Sequence, residues 1–319
     1  MKAVLLLMIL VLCVAGACLA EPIQPSKTCP GLFVFQGKDA VKLIGYDYYD
    51  LFASPKVPAG LDWWRGEKAY YEEFLDMLAE NGCNFTRIFA ITGWTNDRMP
   101  WRRISGPGDI IKQTVDHPEG ERYALLDLSR WDGVYWQRVR RTLEYASKLG
   151  IVFEICLVDE CGLESGPGDR RWPLHPFNPE NNLPGTLGRA MIEGGHKDGL
   201  PQAYDLENKA LVEMYERYLA KWIEETRGLD NVIFELGNET TSGIAFQQWM
   251  ARKLRELGCQ FPIAANVFVD EEQVYNLPEV DLIATHGKKT PDEVRKWAVD
   301  WRTRFPGKAL MLDSDGWYD

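Results

Sequence analysis

Asn238 and Glu239 close an apolar run, Asn231–Thr241 (NVIFELGNETT), and are followed at once by two hydroxyl residues. A carboxyl group at the mouth of a buried strand is a natural place for proton transfer, because it is part shielded and part open to a reactant. Alternation along the run sets Val232, Phe234 and Leu236 on one face and Ile233, Glu235, Gly237 and Glu239 on the other. Arg87 lies within a second such run, Phe85–Thr92 (FTRIFAIT). A buried arginine needs a carboxylate partner, and Glu235, inward-facing below Glu239, is the expected one. Asp159 and Glu160 end a third run, Ile151–Val158 (IVFEICLV), and His286 ends a fourth, Asp281–His286 (DLIATH). Two further carboxyls, Asp313 and Asp315, share a face after Lys308–Asp313 (KALMLD), opposite Leu312. Trp94, Asn96, Asp97, Arg98 and Trp101 form a loop suited to a sugar platform, since indole faces stack on pyranose C–H faces.

The elements that position these groups alternate. A strand is expected at Leu43–Tyr48, then a helix over Glu67–Asn81 stopped by Gly82, the Phe85 strand, and a capped helix over Asp127–Gly150 with a stripe of Val134, Val139, Leu143 and Ala146. After the Ile151 strand, Gly162–Tyr204 has no periodicity and is dense in Pro, Gly and Asn; a loop that long usually serves function and is expected to wall a cleft. His175, Trp172 and His196 there read as loop or subsite residues. Helices follow over Asn208–Thr226 and Ile244–Leu257, a strand over Phe261–Val267, a helical turn over Val274–Val280, the Asp281 strand, a helix over Pro291–Phe305 and the Lys308 strand. Seven strands alternating with helices predict a parallel α/β architecture of the TIM (β/α)8 barrel type, lacking the eighth strand in this chain and read as truncated after Asp319. Ahead of them, residues 31–44 (GLFVFQGKDAVKLI) carry a hairpin signal around Gly37-Lys38-Asp39.

The chain has 319 residues, 45% hydrophobic, which is ample for one barrel of about 250 residues. Its formal net charge of -11 argues against nucleic acid or an anionic membrane as partner and suits a neutral substrate. The first 20 residues, MKAVLLLMILVLCVAGACLA, have the layout of a secretory signal peptide, which implies a secreted or periplasmic product with no membrane attachment after cleavage. The expected catalytic domain is residues 31–319, as a monomer. Outside the signal the cysteines are Cys29, Cys83, Cys156, Cys161 and Cys259. None forms a C-x-x-C pattern and no paired histidines accompany them, so neither metal nor cofactor is expected. Cys83 and Cys156 read as small core residues, and a disulfide at Cys29 stays open.

A hydrophobic strand ending in Asn-Glu resembles the fourth strand of the clan A glycoside hydrolases, retaining enzymes of cellulase and mannanase type on a (β/α)8 barrel. The resemblance spans residues 31–319 and implies a metal-independent hydrolase of β-linked oligo- or polysaccharide. It makes Glu239 the general acid/base, Asn238 the ligand of the sugar 2-hydroxyl, Arg87 the second-strand arginine that holds the carboxylates, and His286 the neighbour of the nucleophile. The hairpin at residues 31–44 would close the bottom of the barrel. A retaining enzyme needs a second carboxyl about 5–5.5 Å from the first. The family places a glutamate there, at the end of the seventh strand. Here the ending is Leu312-Asp313-Ser314-Asp315-Gly316-Trp317, which makes Asp315 the candidate nucleophile by depth, with Asp313 next and Trp317 a substrate contact. The same departure supports an alternative, a carbohydrate-binding barrel that has lost its nucleophile.

Overall fold

The computed structural model describes residues 21–29, 31–48, 51–52, 70–91, 99–104, 110–112, 121–123, 125–159, 163, 175–184, 196–197, 200–285 and 290–312. The signal segment lies outside them, as do Trp94, Glu160, Cys161, His286, Asp313, Asp315 and Trp317.

Six parallel strands stand side by side in chain order: Phe85–Phe89, Val152–Cys156, Val232–Glu235, Ile263–Ala265, Leu282–Thr285 and Ala309–Leu312. A seventh segment joins at the Phe85 edge. There Gly45 bridges Phe85 in parallel, the Asn84 amide donates to the Ile44 carbonyl at 2.8 Å, and the Tyr48 amide donates to the Arg87 carbonyl at 2.9 Å. Counted from Leu43–Tyr48, the Phe85, Val152 and Val232 strands are therefore the second, third and fourth, and the sheet is the greater part of a (β/α)8 barrel.

Helices α1 (Tyr70–Glu80), α2 (Gly133–Leu149), α3 (Lys209–Thr226), α4 (Gly243–Glu256), α5 (Glu271–Tyr275) and α6 (Pro291–Arg304) separate the strands. Local chemistry fixes their ends. The Asp132 carboxylate accepts the Val134 and Tyr135 amides at the start of α2, and Gly150 ends it at φ 72°. A capping box between Thr290 and Glu293, with Pro291 in the first turn, starts α6. The expected helix over Asp127–Gly150 is corrected at its front. Leu126–Trp131 is a strand paired antiparallel with Trp101–Arg103, burying Leu126 and Leu128 while Asp127 is part exposed and Ser129 exposed, a period of two over its first four residues. Val134 is 51% exposed, since five residues before Val139 falls on the far side of a 3.6-residue turn; Tyr135 and Trp136 complete the stripe instead. Trp101, expected on a sugar platform, is fully buried and stacks on Tyr218 with centroids 5.7 Å apart.

Alternation along the barrel strands sorts the core into two clusters. Ile88, Phe153, Ile155, Val232, Phe234, Ile263, Ala265 and Ile283 face the helices. Phe85, Val152, Ile233, Ala264, Leu282 and Ala309 face the interior, where Ile23, Phe33 and Phe35 cover them from below. Phe33 and Phe35 lie in a three-stranded antiparallel sheet, Gln24–Pro25, Phe33–Phe35 and Lys38–Val41, which Ile23 directly precedes, so the hairpin closes the barrel floor as expected. With the floor apolar, the next interior positions up the second, third and fourth strands are Arg87, Glu154 and Glu235.

Candidate active site

These three meet as side chains. Arg87, 2% exposed, donates from Nε to Glu235 Oε2 at 2.8 Å and from Nη2 to Glu235 Oε1 at 2.7 Å. Nη2 also donates to Asn238 Oδ1 at 2.8 Å. Glu154 Oε2 lies 3.7 Å from Arg87 Nε, and the guanidinium carbon lies 4.9 Å from the centre of the Phe89 ring. A planar fork with donors on two edges is what lets one buried cation serve a carboxylate and an amide at once, which an ammonium could not reproduce. The expected Arg87–Glu235 pair is present.

The Arg87 contact also fixes which way the Asn238 amide points. Arginine offers only donors, so the oxygen of Asn238 faces it, and Nδ2 is left to donate to Asp159 Oδ1 at 3.2 Å. Asn238 is 5% exposed and Asp159 fully buried. Asp159, which ends the third run, is thus the outer support of Asn238.

Glu239 follows on a backbone that only a constrained site keeps, at φ 49°. Its neighbours are tied to the two strands that flank the fourth. Asn238 bridges Asp159 beyond the third strand, its amide donating to the Val158 carbonyl at 3.2 Å. Thr240 bridges Val267 beyond the fifth strand; its amide donates to the Asn266 carbonyl at 2.9 Å, and its carbonyl accepts from Phe268 at 3.0 Å. Between these two bridges, the left-handed residue holds Glu239 half-buried at the C-terminal end of the strands, where barrels of this type carry their chemistry.

Glu154 was not singled out by sequence reasoning, although the alternation of VFEIC, with Val152 and Cys156 of the same parity, could have found it. Cys156 sits close by. Burial, followed by the charge of Glu235, pushes its thiol well above the usual range, so it is a small core group and not a thiolate nucleophile. Cys29, Cys83, Cys156 and Cys259 are free thiols. His175, expected as a loop or subsite residue, is fully buried against Phe177, its Nδ1 accepting the Phe177 amide at 3.1 Å. Among the described residues no group of three or more His, Cys, Asp or Glu is arranged to hold a metal ion. Of the expected site residues, Arg87, Asn238 and Glu239 are brought together; His286, Trp94, Trp317, Asp313 and Asp315 lie outside the described residues.

No protein-family profile matches the chain, and no curated protein matches its sequence. Solved structures do. The chain is similar to a glycoside hydrolase family 5 mannosidase from Rhizomucor miehei at TM-score 0.55 and 10% identity, over 92% of this chain and 73% of that one. It is similar to an endo-1,4-β-mannanase from the same organism at TM-score 0.54 and 10% identity, over 91% and 80%. A family 5 glycoside hydrolase from Bacteroides vulgatus matches at TM-score 0.50 and 10% identity, over 92% and 53%. The chain thus spans about half the length of that bacterial structure. At this identity the likeness is one of fold: the seven segments described above are those of a barrel shared with family 5 glycoside hydrolases.

Proposed function

We propose that the protein is a glycoside hydrolase that cleaves β-linked glycan by double displacement, with Glu239 as general acid/base. The observation that carries this reading is the Arg87 fork, which fixes Glu235 and Asn238 together and so sets the Asn238-Glu239 pair at the barrel mouth. Glu239 protonates the glycosidic oxygen as a second carboxylate attacks the anomeric carbon, expelling the aglycone. It then takes a proton from the water that releases the sugar. Asn238, its oxygen held by Arg87, presents Nδ2 toward the sugar 2-hydroxyl.

The second carboxylate is Asp315, with Asp313 the runner-up. The interior parity of Ala309 and Met311, which pack with the barrel-floor cluster, is also the parity of both aspartates in the sequence. β-Mannan is the first substrate to test, because the Rhizomucor neighbours are a mannosidase and a mannanase. The segment 1–20 directs export, so the substrate is met outside the cytoplasm.

The test is hydrolysis of β-mannan and of 4-nitrophenyl β-mannobioside by the wild-type chain and by Glu239→Gln. A fall in kcat of roughly 10²- to 10⁴-fold is expected from loss of the acid. Full activity in E239Q ends the reading, and tight oligosaccharide binding without turnover by the wild-type chain would favour the binding-only barrel.

A further inference from the structure

Directly behind Glu239, on the helix side of the sheet, lies a polar cluster that the proposed chemistry does not use. Gln247, on the first turns of α4, is 1% exposed in otherwise apolar surroundings that include Phe246, Met250 and Ala251. Its Nε2 donates to Ser242 Oγ at 2.8 Å and to Thr240 Oγ1 at 3.3 Å. Thr240 Oγ1 donates to Ser242 Oγ at 2.7 Å and accepts the Ser242 amide at 3.0 Å. Gln247 Oε1 has no hydrogen-bond partner among the described residues. An amide buried with one end unsatisfied costs stability that an apolar side chain of the same shape would avoid, so packing alone gives no reason for glutamine here.

We propose that Gln247 is a positioning residue for Glu239, acting through Thr240. This deepens the glycosidase reading and rests on it. Glu239 is held at φ 49° by its two neighbours, and each neighbour is fixed twice. Asn238 is fixed by its amide on Val158 and, from inside the barrel, by Arg87 and Asp159 on its side chain. Thr240 is fixed by its backbone on Asn266 and Phe268 and, from outside the barrel, by Gln247 on its hydroxyl. Ser242, the residue before α4, makes no side-chain cap of its own helix; its hydroxyl is committed to this cluster, while Asp270 takes the Ile244 amide at 2.9 Å. Without Gln247 the Thr240–Ser242 hydroxyl pair keeps its mutual bonds but loses its brace to α4, the segment relaxes from the left-handed turn, and the Glu239 carboxyl leaves its place over the leaving group. Placement errors of this kind act on the proton-transfer step.

A defect in acid placement depends on how much the leaving group needs a proton. Gln247→Leu, with Thr240→Val as a second variant through the same hydroxyl, would be assayed on 4-nitrophenyl and 2,4-dinitrophenyl β-mannobioside, with thermal melting to establish folding. The expected result is a shift of roughly tenfold in the ratio of kcat/KM between the two aglycones, the poorer leaving group losing more. An unchanged ratio, whether activity falls equally on both or not at all, overturns the proposal. Amide hydrogen exchange supplies a readout independent of turnover: the Thr240 and Phe268 amides should lose protection by roughly tenfold in Q247L relative to those in the middle of α4. Should the wild-type chain hydrolyse neither glycoside, the substrate reading fails. Exchange then decides the positioning role alone, unchanged protection sinking it.

Discussion

Arg87 closes its guanidinium on both oxygens of Glu235, at 2.8 and 2.7 Å, across the third strand that lies between them. Both side chains are removed from water, so the pair is costly to break from either end. Arg87→Met should destabilise the fold by about 3–5 kcal/mol in urea titrations, because it leaves Glu235 buried without its cation. The double variant R87M/E235L should lose clearly less than the sum of R87M and E235L, since it no longer leaves Glu235 buried without its cation and only Glu154, 3.7 Å from the guanidinium, still loses its partner. Additive losses would mean that the two are not energetically coupled. Even where R87M/E235L folds well, Asn238 has lost its anchor, and the activity deficit should remain.

The nucleophile is a question of which aspartate reaches the anomeric carbon. A 2-deoxy-2-fluoro-β-mannosyl fluoride slows release of the covalent intermediate, so peptide mapping after incubation reads the attacking carboxylate directly. The label is expected on Asp315, and Asp315→Asn should lower kcat by at least about a thousandfold, as loss of a member of a catalytic unit does elsewhere. Labelling of Asp313 would transfer the role. No label, with the oligosaccharide still bound, would mark a barrel that binds and does not cut.

Period-two alternation made much of this site legible in the sequence, because a barrel strand is covered on both faces and only parity tells interior from exterior. Parity places Glu235, two residues past Ile233, on the interior face, and the need of a buried arginine for a carboxylate supplies its partner Arg87. Parity also contained Glu154, but VFEIC reads as one apolar run unless its middle residue is assigned a face. Sequence and structure part where period and length compete. LDLSRW sits directly before a long amphipathic helix, so its short alternation is masked by the helical period that follows, although the cap at Asp132 separates the two. Trp101 shows the other limit: an indole beside polar residues looks like a platform until the chain brings Tyr218 and Phe177 against it from more than seventy residues away. The turn at Glu239 and its brace from Gln247 depend on bridges to the two flanking strands and on a helix face behind them, which no local pattern encodes.

The first barrel segment reaches its place because Gly45 has no side chain. A methyl group there would sit 1.7 Å from the carbonyl oxygen of Phe85, a backbone atom that cannot step aside without moving the second strand. Gly45→Ala should therefore cost on the order of 1–3 kcal/mol or more, the range of an overpacked interior. The damage should be local: amide exchange would speed up at Asn84 and Tyr48, which tie this segment to the second strand, ahead of the third and fourth strands. Uniform loss of protection across the sheet would contradict a role confined to that edge.

Asp39 gives the barrel floor a dependence on acid. Its carboxylate accepts from the Ser26 hydroxyl at 2.5 Å, from the Thr28 hydroxyl, and from the Ala40 amide at 2.7 Å, tying the strand Lys38–Val41 to the segment that follows Gln24–Pro25. Those donors, Ser26 foremost, hold its pKa below the ordinary value of 3.8. A carboxyl whose folded-state pKa lies below its unfolded one contributes stability that is fully present above the unfolded value and disappears as pH falls through the folded one. Asp39→Asn cannot lose that contribution, because it never titrates. Urea midpoints of the wild-type chain and D39N should therefore differ most at about pH 5 to 6 and converge as the solution is taken below the ordinary carboxylate range. Since Phe33 and Phe35 of the same small sheet, with Ile23 just before it, cover the interior cluster, the convergence should be accompanied by faster amide exchange in residues 23–41 before the sheet above them opens. A difference between the two proteins that stays constant down to pH 2 would mean that the three hydrogen bonds serve a neutral side chain equally well.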